Sequence, residues 1–171
     1  MEEFNWYVVK TTARSEKRVH ERLRKDGYET YLPLLKTVKI WSDRKKKVTQ
    51  PLIPSTLFIK TSRDNLHDVY PYQGVSSILN YLSKPAVVKE HEINNLRILL
   101  QQEAEGELET IEQLQEGETV QVTRGPFQGL IATAIQTEQK FRVVVELHSM
   151  GTGFVVNVPK SYVRKVKVNN G

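Results

Sequence analysis

Hydrophobic and polar positions divide the chain into segments whose periods predict strands and helices. A near-continuous apolar run within Asn5–Thr12 predicts a strand that is buried on both faces. Ala13–Asp26 instead carries Val19 and Leu23 at helical spacing among many charged residues, and Gly27 follows at the position that ends a helix. The chain is therefore predicted to begin with a strand, a helix and a second strand.

The next segments predict a hairpin with a basic tip. Tyr28–Leu35 and Thr37–Trp41 read as extended, and Ser42–Lys47 is a polar turn that ends in four consecutive cations. Leu57–Ile59 then predicts a buried strand, which the prolines before it place at an edge or a bulge. The basic tip either contacts nucleic acid or keeps the hairpin soluble, and the sequence alone leaves both interpretations open.

Further along, the pattern predicts short elements and then a break. Asp64 is expected to cap a short helix through Tyr70, Val75–Leu82 to form a strand, and Glu90–Glu103 to form a second amphipathic helix. Residues 101–118 contain seven glutamates and no lysine or arginine. We therefore predict an acidic linker at residues 105–117.

Five short strands are predicted after this linker. Their ranges are Thr119–Thr123, Leu130–Thr137, Phe141–Leu147, Gly153–Val158 and Tyr162–Val166. Close spacing and turn residues between the strands are typical of a small closed barrel. The first turn contains Gly125, Pro126 and Gly129, and either glycine can adopt a positive φ without steric cost.

Composition excludes several classes of protein. With 39% hydrophobic and 26% charged residues the chain is expected to fold, and the absence of cysteine excludes disulfides, thiolate zinc sites and a cysteine nucleophile. The four histidines lack metal-ligand spacing, and no catalytic set or glycine-rich phosphate loop is present. We expect no enzyme activity, no cofactor and no metal. The lack of a membrane-length apolar run or a secretory start predicts a cytoplasmic protein with no membrane partner.

Charge is unevenly distributed along the chain. The net charge is +5, with 14 lysines and arginines against 7 acidic residues in residues 1–60, and 7 against 2 in residues 119–171. Two basic regions separated by an acidic one suggest a polyanionic partner such as nucleic acid, although a basic surface also serves solubility.

The first predicted helix carries the most regular set of cations. Arg14, Arg18, Arg22 and Lys25 recur at helical spacing, as expected of a stripe that faces nucleic acid. The alternative is a solvated face that is stabilised by pairs such as Glu21 with Lys25.

Three segments carry a family resemblance. Residues 116–132 resemble the KOW motif of small SH3-like barrels, and they follow a Trp6–Val9 strand and a Pro51–Pro54 approach to the strand at Leu57–Ile59. In this order they resemble the NusG family of transcription elongation factors. The Trp41–Lys47 stretch is similar to specialised members such as RfaH and the UpxY-type antiterminators of polysaccharide operons.

The resemblance implies an α+β fold in two domains. Residues 1–104 would form an N-terminal NGN-type α/β sandwich, an antiparallel sheet with flanking helices. Residues 105–117 would be the linker, and residues 118–171 a C-terminal SH3-like KOW β-barrel. Because its strands are rich in valine, we expect the barrel as the resting form.

The resemblance also implies a function without catalysis. A monomer of this family would bind the clamp of RNA polymerase and suppress pausing and termination, here in a polysaccharide biosynthesis operon. The residues implied to bind the polymerase are Lys10, Ile53, Pro54, Thr56, Phe58 and Tyr81. Four of them, from Ile53 to Phe58, match the family's polymerase-facing segment, and Tyr81 is expected in a strand nearby. Thr56 and Lys10 depart from the family, which usually carries aromatic or apolar groups there, and Phe58 is equally compatible with a place in the core.

Two further surfaces follow from the resemblance. The non-template DNA strand at the transcription bubble would contact Arg14, Arg18, Arg22 and Gln73. The barrel would recruit a ribosomal protein or the termination factor Rho through Phe127, Ile131 and Phe154, although most aromatic residues in so small a barrel are core. A rival reading is an RNA-binding translation or ribosomal protein, since KOW barrels also occur there.

Overall fold

The structure, a computed structural model, describes residues 2–101, 109–111, 117–136 and 141–167. The chain divides into two units, the first made of residues 1–36 and 47–90 and the second of residues 37–46 and 91–171. The second helix therefore belongs by its contacts mainly to the second unit, whereas the predicted first domain extends to residue 104.

Residues 2–90 form one helix and nine strands. The elements are β1 (Phe4–Thr11), α1 (Glu16–Lys25), β2 (Glu29–Tyr31), β3 (Leu34–Trp41), β4 (Arg44–Pro51), β5 (Thr56–Ser62), β6 (Val75–Ile78), β7 (Asn80–Tyr81), β8 (Lys84–Pro85) and β9 (Val87–Val88). A 3₁₀ helix at Asp64–Val69 takes the place of the predicted short helix, without a side-chain cap.

An antiparallel sheet with strand order β2-β5-β1-β6 is the centre of the first unit, and β9 also pairs with β1. Val8 lies opposite Phe58, and Lys10 lies opposite Thr56. The four apolar residues Trp6–Val9 are all buried, so the prediction of a strand covered on both faces is confirmed.

Helix α1 packs on one face of this sheet. Val19 and Leu23 enter a core that includes Tyr7, Val9 and Ile59. The apolar spacing of the helix was read correctly from the sequence, but the predicted start at Ala13 is wrong. Arg14 has a φ of +62°, which an α-helix does not allow, and the helix begins only at Glu16.

Two hairpins extend from the first 90 residues. β3 pairs with β4 around a two-residue turn at Ser42 and Asp43, and β7 pairs with β8. The predicted first hairpin is confirmed, but its cations Arg44–Lys47 lie in β4 and not in the turn. The second hairpin corrects the prediction of one strand over Val75–Leu82, because Leu82 and Ser83 form a two-residue turn with φ of +49° and +62°.

The remaining elements form the second unit. They are α2 (Glu90–Leu99), β10 (Glu109–Ile111), β11 (Thr119–Val122), β12 (Ile131–Gln136), β13 (Phe141–Leu147), β14 (Thr152–Asn157) and β15 (Val163–Lys165). The strands form an antiparallel sheet in the order β10-β14-β13-β12-β11-β15. This path has two ends, and the pairings among the described residues do not join them, so the closed barrel stays a prediction.

Most of the predicted linker lies outside the described residues. Glu109–Ile111, however, pairs as β10 with β14, so part of this segment is a strand. The five strands predicted after the linker are confirmed within one or two residues over their described parts. Their close spacing and the turn residues between them identified these strands, and valines supply most of the buried positions of β11 and β13.

Polar side chains of α2 bind the second sheet. The Asn95 amide nitrogen donates to the Ile131 carbonyl oxygen at 2.9 Å, and the Ile131 backbone N–H donates to Asn95 Oδ1 at 3.1 Å. Glu92 Oε1 accepts a hydrogen bond from the His148 backbone N–H at 2.9 Å. Both side chains are buried, so α2 is attached through paired hydrogen bonds as well as apolar contacts.

Replacing Asn95 by alanine is expected to destabilise the second unit by about 2 kcal/mol, because both backbone groups of Ile131 lose their partner. Hydrogen exchange of the β11 and β12 amides in the full chain measures this loss. Asn94→Ala on the exposed side of the same helix is the matched control and should leave exchange nearly unchanged. Equal effects of the two variants would contradict the role assigned to Asn95.

Among the described residues, no helix combines the length and apolar composition needed to cross a bilayer.

Candidate interaction surfaces

The corner before β5 is held in a strained conformation. Ser55 has a φ of +55°, uncommon for a residue with a side chain. Its backbone N–H donates to the buried carboxylate of Glu16 at 2.8 Å, and its carbonyl oxygen accepts from the Thr11 N–H at 2.9 Å. These bonds fix the corner so that Pro54 is exposed and Ile53 is half-buried. Sequence analysis missed Glu16 and Ser55, because neither carries a distinctive local pattern.

Lys10 and Thr56 form one polar pair beside this corner. Lys10 Nζ donates to Thr56 Oγ1 at 2.8 Å, and this hydroxyl donates to the Pro54 carbonyl oxygen at 3.0 Å. Burial lowers the pKa of the half-buried Lys10 from its usual value. The pair accounts for the departure from apolar residues at these two positions, since each polar group has the other as its partner.

Burial limits what some of the predicted site residues can contact. Thr56 and Phe58 are both 0% exposed, and the Phe58 ring stacks on Tyr31 with centroids 6.3 Å apart. Direct contact of these two side chains with a partner is therefore not compatible with the conformation seen here. Their roles are to hold the sheet and the Pro54 corner.

The β7–β8 hairpin presents the most exposed apolar side chains of the first unit. Tyr81 is 67% exposed and Leu82 is 80% exposed. The backbone N–H of Leu79 donates to the Val8 carbonyl oxygen at 2.9 Å, so the hairpin leaves the sheet directly beside β1. We call Tyr81 and Leu82 the hairpin tip. Sequence analysis found Tyr81 but missed Leu82, because a left-handed Leu-Ser turn lacks the usual glycine or asparagine signal.

Two of the four residues predicted to contact nucleic acid are neighbours in the structure. Arg22 Nη1 donates to the Gln73 carbonyl oxygen at 3.0 Å, so these two residues are neighbours. Arg14 and Arg18 are exposed, Arg14 on the turn that precedes α1. The structure therefore places the four residues along α1 and the loop that packs on it.

Gly74 permits this close approach of the loop. Its φ is +100°, and a Cβ at this position would lie 2.8 Å from a methyl group of Val19. The Thr12 N–H donates to the Gly74 carbonyl oxygen at 2.9 Å, which ties the loop to the end of β1.

The β3–β4 hairpin adds a second basic element. Ile40 is 77% exposed and Trp41 is 60% exposed, next to the exposed cations Arg44–Lys47. An exposed indole beside a run of cations suits stacking and phosphate contact.

In the second unit, the motif after β11 has the predicted backbone. Gly125 and Gly129 have φ of +86° and +96°. Phe127 and Ile131 are half-buried, and the Ile131 backbone is bound by Asn95. Phe154 is 1% exposed and belongs to the core, so its side chain is not open to a partner.

Among the described residues, no group of three or more histidine or acidic side chains could hold a metal ion.

Comparison with known proteins agrees with the arrangement of the first unit. A family model described as "Transcription termination factor nusG" matches residues 4–97, more than half of the chain. The chain belongs to the NusG family. The matched range runs from β1 into α2 and so covers the central sheet, the Pro54 corner, the hairpin tip and α1.

Individual NusG relatives cover nearly the whole chain. A transcription termination/antitermination protein NusG of Rickettsia felis is 30% identical over 94% of this chain and 89% of its own length. The protein of the same description from Rickettsia conorii is 29% identical with the same coverage. The chain is thus a NusG-like transcription termination/antitermination factor, from a family whose members are not enzymes.

A solved structure supports the fold. The structure titled "Domain interaction in Thermotoga maritima NusG" aligns with a TM-score of 0.51 at 20% identity, covering 96% of this chain and 98% of that one. The predicted NGN-type α/β fold is supported by this likeness together with the family match.

Proposed function

We propose that this chain binds RNA polymerase at its clamp through the hairpin tip and the Pro54 corner, and reduces pausing and termination as a monomer in the bacterial cytoplasm. The observation that carries the proposal is the exposure of Tyr81 and Leu82 on a strained turn beside β1. Strained backbone persists where the surrounding fold enforces it, and such residues cluster at functional sites.

The chemistry of the hairpin tip favours a protein partner. Aromatic and large apolar side chains supply the energetic centre of protein interfaces, while the charged residues around them act as a rim. The buried Thr56 and Phe58 contribute by fixing the sheet beneath.

A single-round transcription assay tests the function. On a template with one strong pause and one intrinsic terminator, the full chain should shorten the pause and raise readthrough with purified bacterial RNA polymerase. Unchanged pausing and unchanged readthrough at saturating protein would contradict the proposal.

We propose further that Arg14, Arg18, Arg22 and Gln73 face the non-template DNA strand, and separately that the cations of the β3–β4 hairpin contact nucleic acid. Arg14 and Arg18 are exposed, while Arg22 already donates to the loop of Gln73 and so orients that residue. Arginine suits this role because its planar fork binds phosphate and stacks on bases.

Changing Arg14 and Arg18 to glutamine is expected to weaken binding of the full chain to a fluorescent 12-nucleotide DNA strand. The slope of log affinity against log salt should fall by about 1.4, since each phosphate contact on a single strand contributes about 0.7. Arg63→Gln/Lys84→Gln is the matched control, because these two cations line a cleft shared with Glu2, Glu3 and Asp64. An equal slope change in both variants would show that only net charge matters.

For the second unit we propose a KOW barrel that recruits a ribosomal protein or Rho. The positive φ at Gly125 and Gly129 supports the motif. Of the predicted contact residues, the half-buried Phe127 and Ile131 are the accessible ones. Phe154 supports this surface from the core.

The similarity of Trp41–Lys47 to specialised antiterminators supports a role in a polysaccharide operon. Deletion of the gene should then lower the RNA of the distal genes of one such operon more than that of its first gene, as measured by sequencing.

A further inference from the structure

The outer edge of the second sheet carries a concentration of cations that the polymerase proposal does not use. Five exposed cations lie on or next to β11 and β15. They are Arg124, Lys160, Arg164, Lys165 and Lys167. We call them, with Tyr162 and Gln121, the cationic edge. Lys165 Nζ lies 3.0 Å from Glu118 Oε1. Among the described contacts, Glu118 is the only acidic partner of these five cations.

An aromatic ring lies at the centre of this edge. The Arg124 guanidinium lies 5.3 Å from the centroid of the half-buried Tyr162 ring. The backbone of Tyr162 is fixed in turn, because its carbonyl oxygen accepts from both the N–H and the hydroxyl of Thr123, at 2.6 and 2.9 Å. The arginine cation therefore lies over the ring of a residue whose backbone is fixed.

Gly125 makes room for this pair. A Cβ at residue 125 would lie 2.8 Å from the Tyr162 ring, so the backbone approaches the ring more closely than any other residue would allow. The planar guanidinium can present its outer face to a further planar group, as an unpaired base requires.

The neighbouring strand positions are polar and point the same way. Arg164 lies directly opposite Gln121, and its guanidinium donates to Gln121 Oε1 at 2.8 Å. Val120 and Val122 alternate with these positions and are buried. Strand β11 thus turns its valines to the core and Gln121 to the other face, which Arg164 shares, while Lys165 lies opposite Val120.

The cationic edge offers little apolar surface for docking of a protein partner. Among residues 117–135 and 142–167, no large hydrophobic side chain is exposed. Phosphate contacts by cations combined with stacking on a planar group are the properties of surfaces that bind single strands.

We propose that the cationic edge is a binding site for single-stranded nucleic acid. It goes beyond the polymerase docking proposed above and does not depend on it. Arg124, Lys160 and Arg164 contact phosphates, and the Arg124–Tyr162 pair accepts a base.

Fluorescence anisotropy of the full chain with labelled 12-nucleotide oligouridine and oligothymidine tests the proposal. Arg124→Gln/Arg164→Gln should lower the salt slope by about 1.4, since two phosphate contacts are lost. The control Arg63→Gln/Lys84→Gln removes the same charge beside the acidic cleft and should change the slope much less. A preference for oligouridine would identify RNA as the ligand, and equal affinity would identify any single strand; both outcomes support the site.

Photocrosslinking identifies which residues contact the oligonucleotide. Oligouridine containing 4-thiouridine should attach to Tyr162 or its neighbours on β11 and β15, and Arg124→Gln/Arg164→Gln should remove this adduct. Equal slopes for the two double variants, or adducts confined to residues 2–101, would overturn the proposal. Neither result bears on polymerase binding, which the pausing assay measures separately.

Discussion

Replacing both Tyr81 and Leu82 by alanine is expected to weaken binding of the full chain to core RNA polymerase about 30-fold or more. Interface centres of this kind cost about 2 kcal/mol or more on truncation, which corresponds to that factor. The change should leave the fold intact, because both side chains project into solvent from a short hairpin. Biolayer interferometry with immobilised polymerase measures the affinity.

A control with two other exposed apolar side chains is present in the first unit. Phe4 and Tyr70 are 54% and 44% exposed but lie outside the hairpin tip. Phe4→Ala/Tyr70→Ala should change the affinity less than about threefold, the effect of peripheral contacts. If both double variants lose the same affinity, general hydrophobicity and not the hairpin tip mediates the contact.

Phe58→Ala is expected to destabilise the first unit by about 3 to 5 kcal/mol, because it leaves a cavity beneath a fully buried ring. Phe58 is 0% exposed, lies opposite Val8 and stacks on Tyr31. Hydrogen exchange of the β1 and β5 amides should accelerate by more than about 100-fold, since these strands exchange by unfolding of the unit.

The same variant distinguishes a core residue from a contact residue. At a temperature where the variant remains folded, its affinity for polymerase should stay close to that of the parent chain. Affinity that falls while amide protection is unchanged would show that Phe58 contacts the partner directly. Phe4→Ala should leave protection nearly unaltered, as exposed substitutions usually do.

Hydrophobic patterning predicted much of the fold because burial follows the period of each element. The run Trp6–Val9 is covered on both faces, and the valine-rich strands β13 and β14 occur where the spacing of turn residues placed them. The errors have local causes. Arg14 and Leu82 adopt positive φ values that sequence does not signal for such residues, so α1 begins late and a hairpin replaces the end of a strand.

The candidate sites were less predictable than the fold. Exposure separates Tyr81 from Phe58, although both are aromatic residues that the family resemblance implies in polymerase binding. Sequence pattern does not reveal which of them the sheet covers. Asn95 did carry a signal, since a polar residue on the apolar side of a helix must find a partner, and it finds the Ile131 backbone.

Site-specific crosslinking tests the central claim most directly. With benzoylphenylalanine in place of Tyr81, the full chain should form a covalent adduct with the polymerase subunit that carries the clamp, whereas the same group in place of Tyr70 should not. An adduct from position 70 and none from position 81 would contradict the account.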